Sequence, residues 1–209
     1  MRKSVLVILL AIAFVVGSVS FAATYTSTAN HNIDVSIPEV AFLRIGNTGT
    51  SLTFAPTAEQ LASGLAANST YTMTGTSGQD VLQALVNKGS WSLGVSVSTT
   101  TSVTTWAATS TDGLALSQIT VTPTVTGDTG IPALVSSFDL GTVSTSGTSI
   151  AAADGSGTYT GMTISSGSGT KTQGWQNVGI DAGSYTLTLT GNEAPGSYSA
   201  VVTYVLATP

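Results

Sequence analysis

The chain has 209 residues, long enough for one sizeable core, and little charge, with 5 basic and 10 acidic residues. The basic residues are too few and too scattered to neutralise a run of phosphates, which excludes nucleic acid as a partner and disfavours an anionic membrane surface. The lack of cysteine excludes disulfides and lipid attachment at cysteine, and a single histidine leaves no zinc-ligand set.

The N-terminal residues have the parts of a secretory signal peptide. Arg2 and Lys3 supply the positive start, residues 5–16 are almost wholly aliphatic, and Ser20-Phe21-Ala22 places small residues where signal peptidase binds. We therefore expect residues 1–22 to be cleaved off. The mature protein, residues 23–209, is then secreted and extracellular, at a bacterial cell surface.

Two other interpretations of this segment stay open. An uncleaved anchor needs roughly 20 apolar residues to span a bilayer. This stretch approaches that length only if Gly17, Ser18 and Ser20 are counted. A type IV pilin leader keeps an apolar helix with an early glutamate, whereas no acidic residue precedes Asp34 here. After signal cleavage, we expect no membrane association.

Apolar and hydroxyl-bearing residues then alternate with a period of two along most of the chain. Strands with one buried and one solvated face show this alternation, and antiparallel sheets contain such strands. Turn-forming pairs such as Asp112-Gly113 separate the runs. The clearest runs are Ile33/Val35/Ile37, Trp91/Leu93/Val95/Val97, Ile119/Val121, Tyr185/Leu187/Leu189 and Tyr198/Ala200/Val202/Tyr204/Leu206.

Two segments carry a helical or an ambiguous pattern. Thr57-Ala58-Glu59-Gln60 is a capping box, in which the threonine begins a helix and the glutamine reaches back to it. Leu61 and Leu65 follow one turn apart, which predicts a helical turn in a loop. Residues 79–86 fit a helix or a strand equally well.

A third segment, residues 144–168, is rich in glycine, serine and threonine. This composition is typical of a mobile surface excursion. Tyr159, Met162 and Ile164 within it indicate at least one edge strand.

These patterns predict an all-β fold. We expect one antiparallel Ig-like or Greek-key β-sandwich over residues 23–209, with one or two short helical turns. The apolar face of each run supplies the core. The predicted core residues are Ile33, Val35, Trp91, Leu93, Val95, Ile119, Val121, Leu187, Leu189, Tyr198, Val202 and Tyr204.

The sequence has no set of residues that indicates catalysis. His31 is the only histidine, and nothing fixes a serine against it, although Asp34 follows closely. Asp112, Asp128 and Asp154 each lie singly, beside or near a glycine, which is typical of turns and not of a calcium site. We therefore expect no enzymatic activity, no metal and no cofactor.

The three tryptophans have different surroundings. Trp91 begins an alternating run, which predicts a core position. Trp175 lies among polar residues in Gln173-Gly174-Trp175-Gln176-Asn177, and it is the better candidate for contact with a glycan or a partner. Trp106 is a second candidate for such contact.

Both ends of the chain carry a resemblance to a known family. The segment Asn32-Ile33-Asp34-Val35-Ser36-Ile37-Pro38 and the last strand, which opens with Gly196-Ser197-Tyr198, resemble the ends of the major fimbrial subunits of class 5 (alternate) chaperone–usher systems. The resemblance covers the two ends and not the middle. It implies a subunit whose N-terminal strand completes the sheet of the next subunit.

A second resemblance lies in Gly89-Ser90-Trp91-Ser92-Leu93, which is similar to the first Trp-x-Leu motif of WxL cell-wall-binding domains. At the position of the second motif, this chain has Tyr204-Val205-Leu206, without tryptophan. The resemblance implies an extracellular module that binds the cell wall.

The sequence therefore predicts a structural subunit of an extracellular filament, pilus or surface layer, with other copies of itself as partners. Residues 24–37 would act as the donor strand, and Ile33, Val35 and Ile37 would fill side-chain pockets on a neighbouring subunit. The alternative is a monomeric cell-wall or glycan-binding module that uses Trp175 or Trp106.

Overall fold

The computed structural model describes residues 33–46, 51–65, 70–99, 104–124 and 128–208. Within these ranges the fold is all-β with two short helices, which confirms the predicted class. The strands are β1 (Ala41–Gly46), β2 (Tyr71–Thr74), β3 (Val81–Val86), β4 (Ser92–Thr99), β5 (Ile119–Val121), β6 (Phe138–Asp139), β7 (Thr148–Ala151), β8 (Thr158–Thr163), β9 (Gln176–Asn177), β10 (Tyr185–Leu189) and β11 (Ala200–Ala207). The helices are α1 (Ala58–Leu65) and α2 (Leu140–Thr145).

The strands form three sheets. Sheet A has the order β1-β3-β9, sheet B the order β2-β10-β5-β6, and sheet C the order β11-β4-β8-β7. Every pairing between these strands is antiparallel. The predicted strands at residues 91–97, 119–121, 185–189 and 198–206 correspond to β4, β5, β10 and β11. The undecided segment 79–86 contains β3, which is a strand.

The core is centred on β4. Trp91, Leu93 and Val95 have no exposed surface, and the indole N–H of Trp91 donates to the Thr170 carbonyl at 2.8 Å. The ring lies against Gly169, where a Cβ atom would come within 2.3 Å of the indole. Glycine at this position therefore allows the largest core side chain to pack against backbone.

Most of the predicted core residues lie in or against the core. Trp91, Leu93, Val95, Ile119, Val121, Leu187 and Leu189 are buried, whereas Tyr198, Val202 and Tyr204 are partly buried against the same cluster. The prediction is wrong for Ile33 and Val35, which are 83% and 75% exposed. Alternation alone did not distinguish a strand that packs from a segment without a partner.

Residues 33–40 form no strand. The chain divides into two compact units, residues 1–37 and 38–209, and only residues 33–37 of the first are described. The signal segment 1–22, His31 and residues 24–32 of the predicted donor strand lie outside the described ranges. Among the described residues, we find no helix with the length and apolar character that crossing a bilayer requires.

Helix α1 confirms the predicted capping box. The Gln60 N–H donates to Thr57 Oγ1 at 3.2 Å, and the Thr57 N–H donates to Gln60 Oε1 at 2.9 Å. Helix α2 was not predicted. It begins after Asp139, whose carboxylate accepts from the Thr142 N–H at 2.7 Å and so satisfies one of the free donors of the first turn.

The glycine-, serine- and threonine-rich segment forms the end of α2 and the hairpin of β7 and β8, so the strand predicted at Tyr159 and Met162 is present as β8. Strand β8 pairs with both β4 and β7, which places it inside sheet C and leaves β7 at the edge. Ile150 of β7 is buried over Gly94 of β4, where a Cβ atom would lie 2.5 Å from its side chain. The glycine makes room for the hairpin.

Candidate interaction surfaces

The N-terminal segment presents three large apolar side chains to solvent. Ile33, Val35 and Ile37 are 83%, 75% and 77% exposed. Their spacing of two residues puts them on one face if the segment is extended. Isolated exposed apolar side chains are common, but three on the same face of one segment are typical of a binding segment.

None of the described strands pairs with the outer edge of β11. In an antiparallel pair, the backbone groups of successive residues point alternately toward the neighbouring strand and away from it. The Leu93 carbonyl accepts from the Ile164 N–H, just after β8, at 2.9 Å, so the backbone groups of Leu93 point toward β8. Leu206, the register partner of Leu93 on β11, therefore points its backbone groups away from β4. The Leu206 carbonyl accordingly accepts from the Ala153 N–H, at 2.8 Å.

The same alternation directs the backbone groups of Val202 and Tyr204 away from β4. No backbone or side-chain partner from the described ranges holds these N–H and C=O groups. We call residues 200–205 the open edge of β11. Unpaired edges of this kind are templates for the addition of another strand.

Strand β1 has an open edge of the same kind. Val86 exchanges two hydrogen bonds with Thr172 on the side away from β1, so the groups of Ala41, opposite Val86, point outward. The alternation extends this orientation to Leu43 and Ile45. Strand β1 is accordingly at the end of sheet A.

The two open edges belong to neighbouring strands. Cα atoms of β1 and β11 lie within 8 Å of each other, closer than the separation of about 10 Å between stacked sheets, yet no ladder joins the strands. Along both edges, apolar side chains are only partly buried against the core: Ala41, Leu43, Ala200, Val202 and Tyr204. A strand added beside β11 would lie about 4.8 Å from it. Where β1 is within 8 Å of β11, covering this apolar surface and gaining the hydrogen bonds therefore also requires β1 to move aside.

The hydroxyl of Tyr204 is hydrogen-bonded inside the protein. Its hydroxyl lies 2.7 Å from the hydroxyl of Tyr185, which connects β11 of sheet C to β10 of sheet B. Burial raises the pKa of Tyr204 well above its usual value, and it raises the pKa of Tyr185 as well. Both hydroxyls therefore stay protonated at neutral pH, and one donates to the other.

The two candidate contact tryptophans differ in how they are held. Trp106 packs against the core with its ring centroid 5.4 Å from that of Tyr198, and its indole N–H donates to the Ser199 carbonyl at 2.9 Å. Trp175 is partly exposed, and in the described part of the chain its indole N–H has no partner. Trp175 is therefore the more available of the two.

Trp175 lies under the guanidinium of Arg44. The Arg44 Cζ atom is 4.1 Å from the ring centroid, and Arg44 Nε donates to Gln83 Oε1 at 2.9 Å. Arg44 and Gln83 are register partners in β1 and β3, and Trp175 directly precedes β9, so all three strands of sheet A contribute. A sequence pattern would not reveal this cluster, because the residues are far apart in the chain.

The predicted turn-forming aspartates act as such. Asp154 Oδ1 accepts from the Ser156 N–H at 2.9 Å, and hydrogen bonds from Ser156 lower the Asp154 pKa. Asp112 accepts from Thr109 within its own turn, and Asp128 accepts from the backbone of Asn177. The residues with described positions contain no group of three or more side chains able to hold a metal ion.

Comparison with protein-family models, with curated proteins and with solved structures found no match to this chain.

Proposed function

We propose that the protein is a structural subunit of an extracellular filament, pilus or surface layer, which assembles when residues 24–37 of one copy add to the open edge of β11 on another. The observation that carries this proposal is that one chain has both an exposed apolar segment and a strand edge without hydrogen-bond partners among the described residues. One is the exposed row Ile33, Val35 and Ile37, and the other is the free backbone edge at Val202 and Tyr204.

The energy gained by strand addition is comparable with its cost. Burial of one exposed aliphatic side chain contributes about 1.5–3 kcal/mol, and each new backbone hydrogen bond adds about 0.5–1.5 kcal/mol. The gain from three side chains and the bonds of a five-residue ladder is of the same size as the cost of association, about 4–15 kcal/mol. Pairing by the preceding residues is therefore needed for a clear net gain.

The local sequence also limits where the added strand ends. Pro38 has no backbone N–H and cannot continue a ladder in the middle of a sheet. Asp34 and Ser36 alternate with the apolar residues, so they face solvent when Ile33, Val35 and Ile37 face the core. The segment thus has the two-faced pattern of a strand inserted between solvent and an apolar interior.

The first test is deletion of residues 23–37 from the mature protein. We expect full-length mature protein to form filaments in negative-stain electron microscopy and the deleted form to stay monomeric in analytical ultracentrifugation. An Asp34→Asn/Ser36→Ala variant, altered only on the solvent face, should still polymerise. Filaments from the deleted protein would refute the mechanism.

The second test locates the acceptor by disulfide formation, which is clean because the chain has no cysteine of its own. Protein with Ser36→Cys is mixed with protein carrying Val201→Cys or Thr203→Cys, on the solvent face of β11. We expect a heterodimeric disulfide, because opposed Cβ atoms in adjacent strands lie about 4.5–5.5 Å apart. Ser149→Cys on β7, the other end strand of sheet C, is the matched control and should not cross-link above background. Equal cross-linking to β7 and β11 would overturn the choice of acceptor.

A second candidate function is a monomeric module that binds cell wall or glycan. The partly exposed Trp175, with its unpaired indole N–H, favours it. Sedimentation with purified peptidoglycan separates the two candidates. Monomer that sediments with the wall, and fails to after Trp175→Ala, would favour the binding module.

A further inference from the structure

We propose that the outer face of sheet A binds a carboxylate-bearing saccharide, with Arg44 on the carboxylate and the neighbouring aromatic rings on the sugar. We call Phe42, Arg44, Gln83, Leu85 and Trp175 the Trp175 platform. The proposal rests on the second candidate function, a glycan-binding surface, and not on strand addition.

The platform is the solvent face of a sheet. In β3, the buried residues Leu82 and Ala84 alternate with partly exposed Gln83 and Leu85. Phe42, the register partner of Leu85, is 50% exposed. An open apolar and aromatic surface of this kind fits the C–H face of a sugar ring.

The hydrogen-bonding groups of the platform are almost all unpaired donors. Arg44 uses Nε for Gln83, but its terminal amino groups have no partner in the described part of the chain, and neither has the Trp175 indole N–H. Gln83 accepts from Arg44 through Oε1, which leaves its amide N–H groups as donors. Such a set is complemented by oxygen acceptors, and best by a carboxylate.

Arg44 is also unusual in its charge. The chain has 10 acidic residues against 5 basic ones, yet the ion pair found among the described residues is Lys88 with Glu39, at 2.7 Å. Within the described residues, Arg44 thus has no carboxylate partner. Stacking on Trp175 and the bond to Gln83 hold the guanidinium in place before any ligand arrives.

The mechanical support for this arrangement comes from the backbone. A Cβ atom at Gly46 would lie 3.0 Å from Gln83 Oε1, so glycine leaves room for the amide that holds Arg44. Gly174 has a φ of +81°, and the Gln176 side chain donates to the Gln173 carbonyl at 2.7 Å. These contacts fix the turn that presents Trp175, so that binding requires little ordering of the platform.

The test uses the protein without residues 23–37, the form expected to stay monomeric, labelled with ¹⁵N. Its three tryptophans give three indole N–H signals. The probes are oligogalacturonate, the same oligomer after reduction of its carboxyl groups to alcohols, and oligoglutamate. We expect oligogalacturonate to shift the Trp175 indole signal in a saturable manner and to leave the signals of Trp91 and Trp106 in place. The reduced oligomer and oligoglutamate should each bind at least about tenfold more weakly.

Variants then distinguish binding at the Trp175 platform from nonspecific attraction between opposite charges. Arg44→Gln should weaken binding about tenfold or more, and Arg44→Lys, which keeps charge but not the planar fork, should be intermediate. Lys171→Gln removes an exposed positive charge four residues before Trp175 that is not part of the platform, and it should weaken binding much less than Arg44→Gln. The two other indole signals and the thermal midpoint report whether each variant is folded.

Four outcomes would overturn the proposal. They are no shift of the Trp175 signal at millimolar oligogalacturonate, equal binding of the reduced oligomer, equal binding of oligoglutamate, and equal loss in Arg44→Gln and Lys171→Gln. Because the titration is read on unassembled protein, its failure leaves strand addition intact, and failure of polymerisation leaves this titration unaffected.

Discussion

The N-terminal segment 33–37 and strand β11 have the same alternating sequence pattern and different fates. Strand β11 pairs with β4 over its whole length and buries Val205 and Leu206, whereas Ile33, Val35 and Ile37 stay exposed. Alternation specifies which side of a strand is apolar, but it does not specify which edge the strand joins. A segment with the pattern and without a partner is a candidate for pairing between molecules.

The largest difference between the two regions should appear in stability. Leu206→Ala removes a buried side chain and should lower the free energy of unfolding by about 2–5 kcal/mol. Ile33→Ala, at an exposed position, should change it by less than about 0.5 kcal/mol. Urea unfolding of the monomeric protein measures both.

A large loss of stability from Ile33→Ala in monomer would contradict the comparison, because it would mean that the segment packs within its own chain. Equally small losses of stability from Leu206→Ala and Ile33→Ala would show that Leu206 of β11 does not contribute to the core.

The second prediction concerns Glu193, in the turn that leads toward β11. Its carboxylate accepts from the Thr190 and Gly191 N–H groups at 2.7 and 2.8 Å and from the Gln118 side chain. Burial raises the Glu193 pKa, but these hydrogen bonds outweigh it and leave the pKa below the usual value of 4.5. Residues 33–37 have no comparable anchor among the bonds of the described residues.

A lowered pKa in the folded state means that the unfolded chain binds the proton more readily. The stabilisation by Glu193 is therefore present above pH 4.5 and is lost as the pH falls through the lower folded-state pKa. Glu193→Gln should lower stability by about 1–3 kcal/mol near neutral pH. The gap between variant and parent should narrow as the pH falls further below 4.5. If denaturant titrations gave the same stability difference between Glu193→Gln and the parent at every pH, the ionised Glu193 carboxylate would not be the stabilising form.

The smallest effect is expected at the tyrosine pair that connects β11 to sheet B. Tyr204→Phe should cost about 0.5–1.5 kcal/mol, because the Tyr185 hydroxyl loses its buried partner. Tyr159→Phe is the control, since that hydroxyl has no hydrogen bond within the described residues. Adding Tyr185→Phe to Tyr204→Phe should cost little more, as a double-mutant cycle would reveal. Additive losses would show that the two hydroxyls act separately.

Local signals in the sequence predicted the features that depend on local chemistry. The capping box at Thr57 and Gln60 begins α1 as expected, and the alternation from Trp91 gives β4 with its apolar face buried. These predictions succeed because each depends on residues a few positions apart, whose geometry the backbone fixes.

The features that the sequence did not predict depend on which distant segments meet. Residues 81–86 form a strand because β1 and β9 flank them. Strand β8, predicted as an edge, lies inside sheet C because β7 pairs beyond it, where Gly94 leaves space for Ile150. Arg44 and Trp175 come together for the same reason, through the order of sheet A. No short-range pattern contains that information.

The hydrogen bond from Ala153 to Leu206 has a consequence for the geometry of assembly. It occupies the last outward carbonyl of β11 and closes one end of the open edge. If assembly proceeds as proposed, a strand from another molecule would meet this stop at the same residue each time, and Pro38 would limit the incoming strand. Two residues would then set the offset between successive subunits, and the fibre would have a uniform axial repeat.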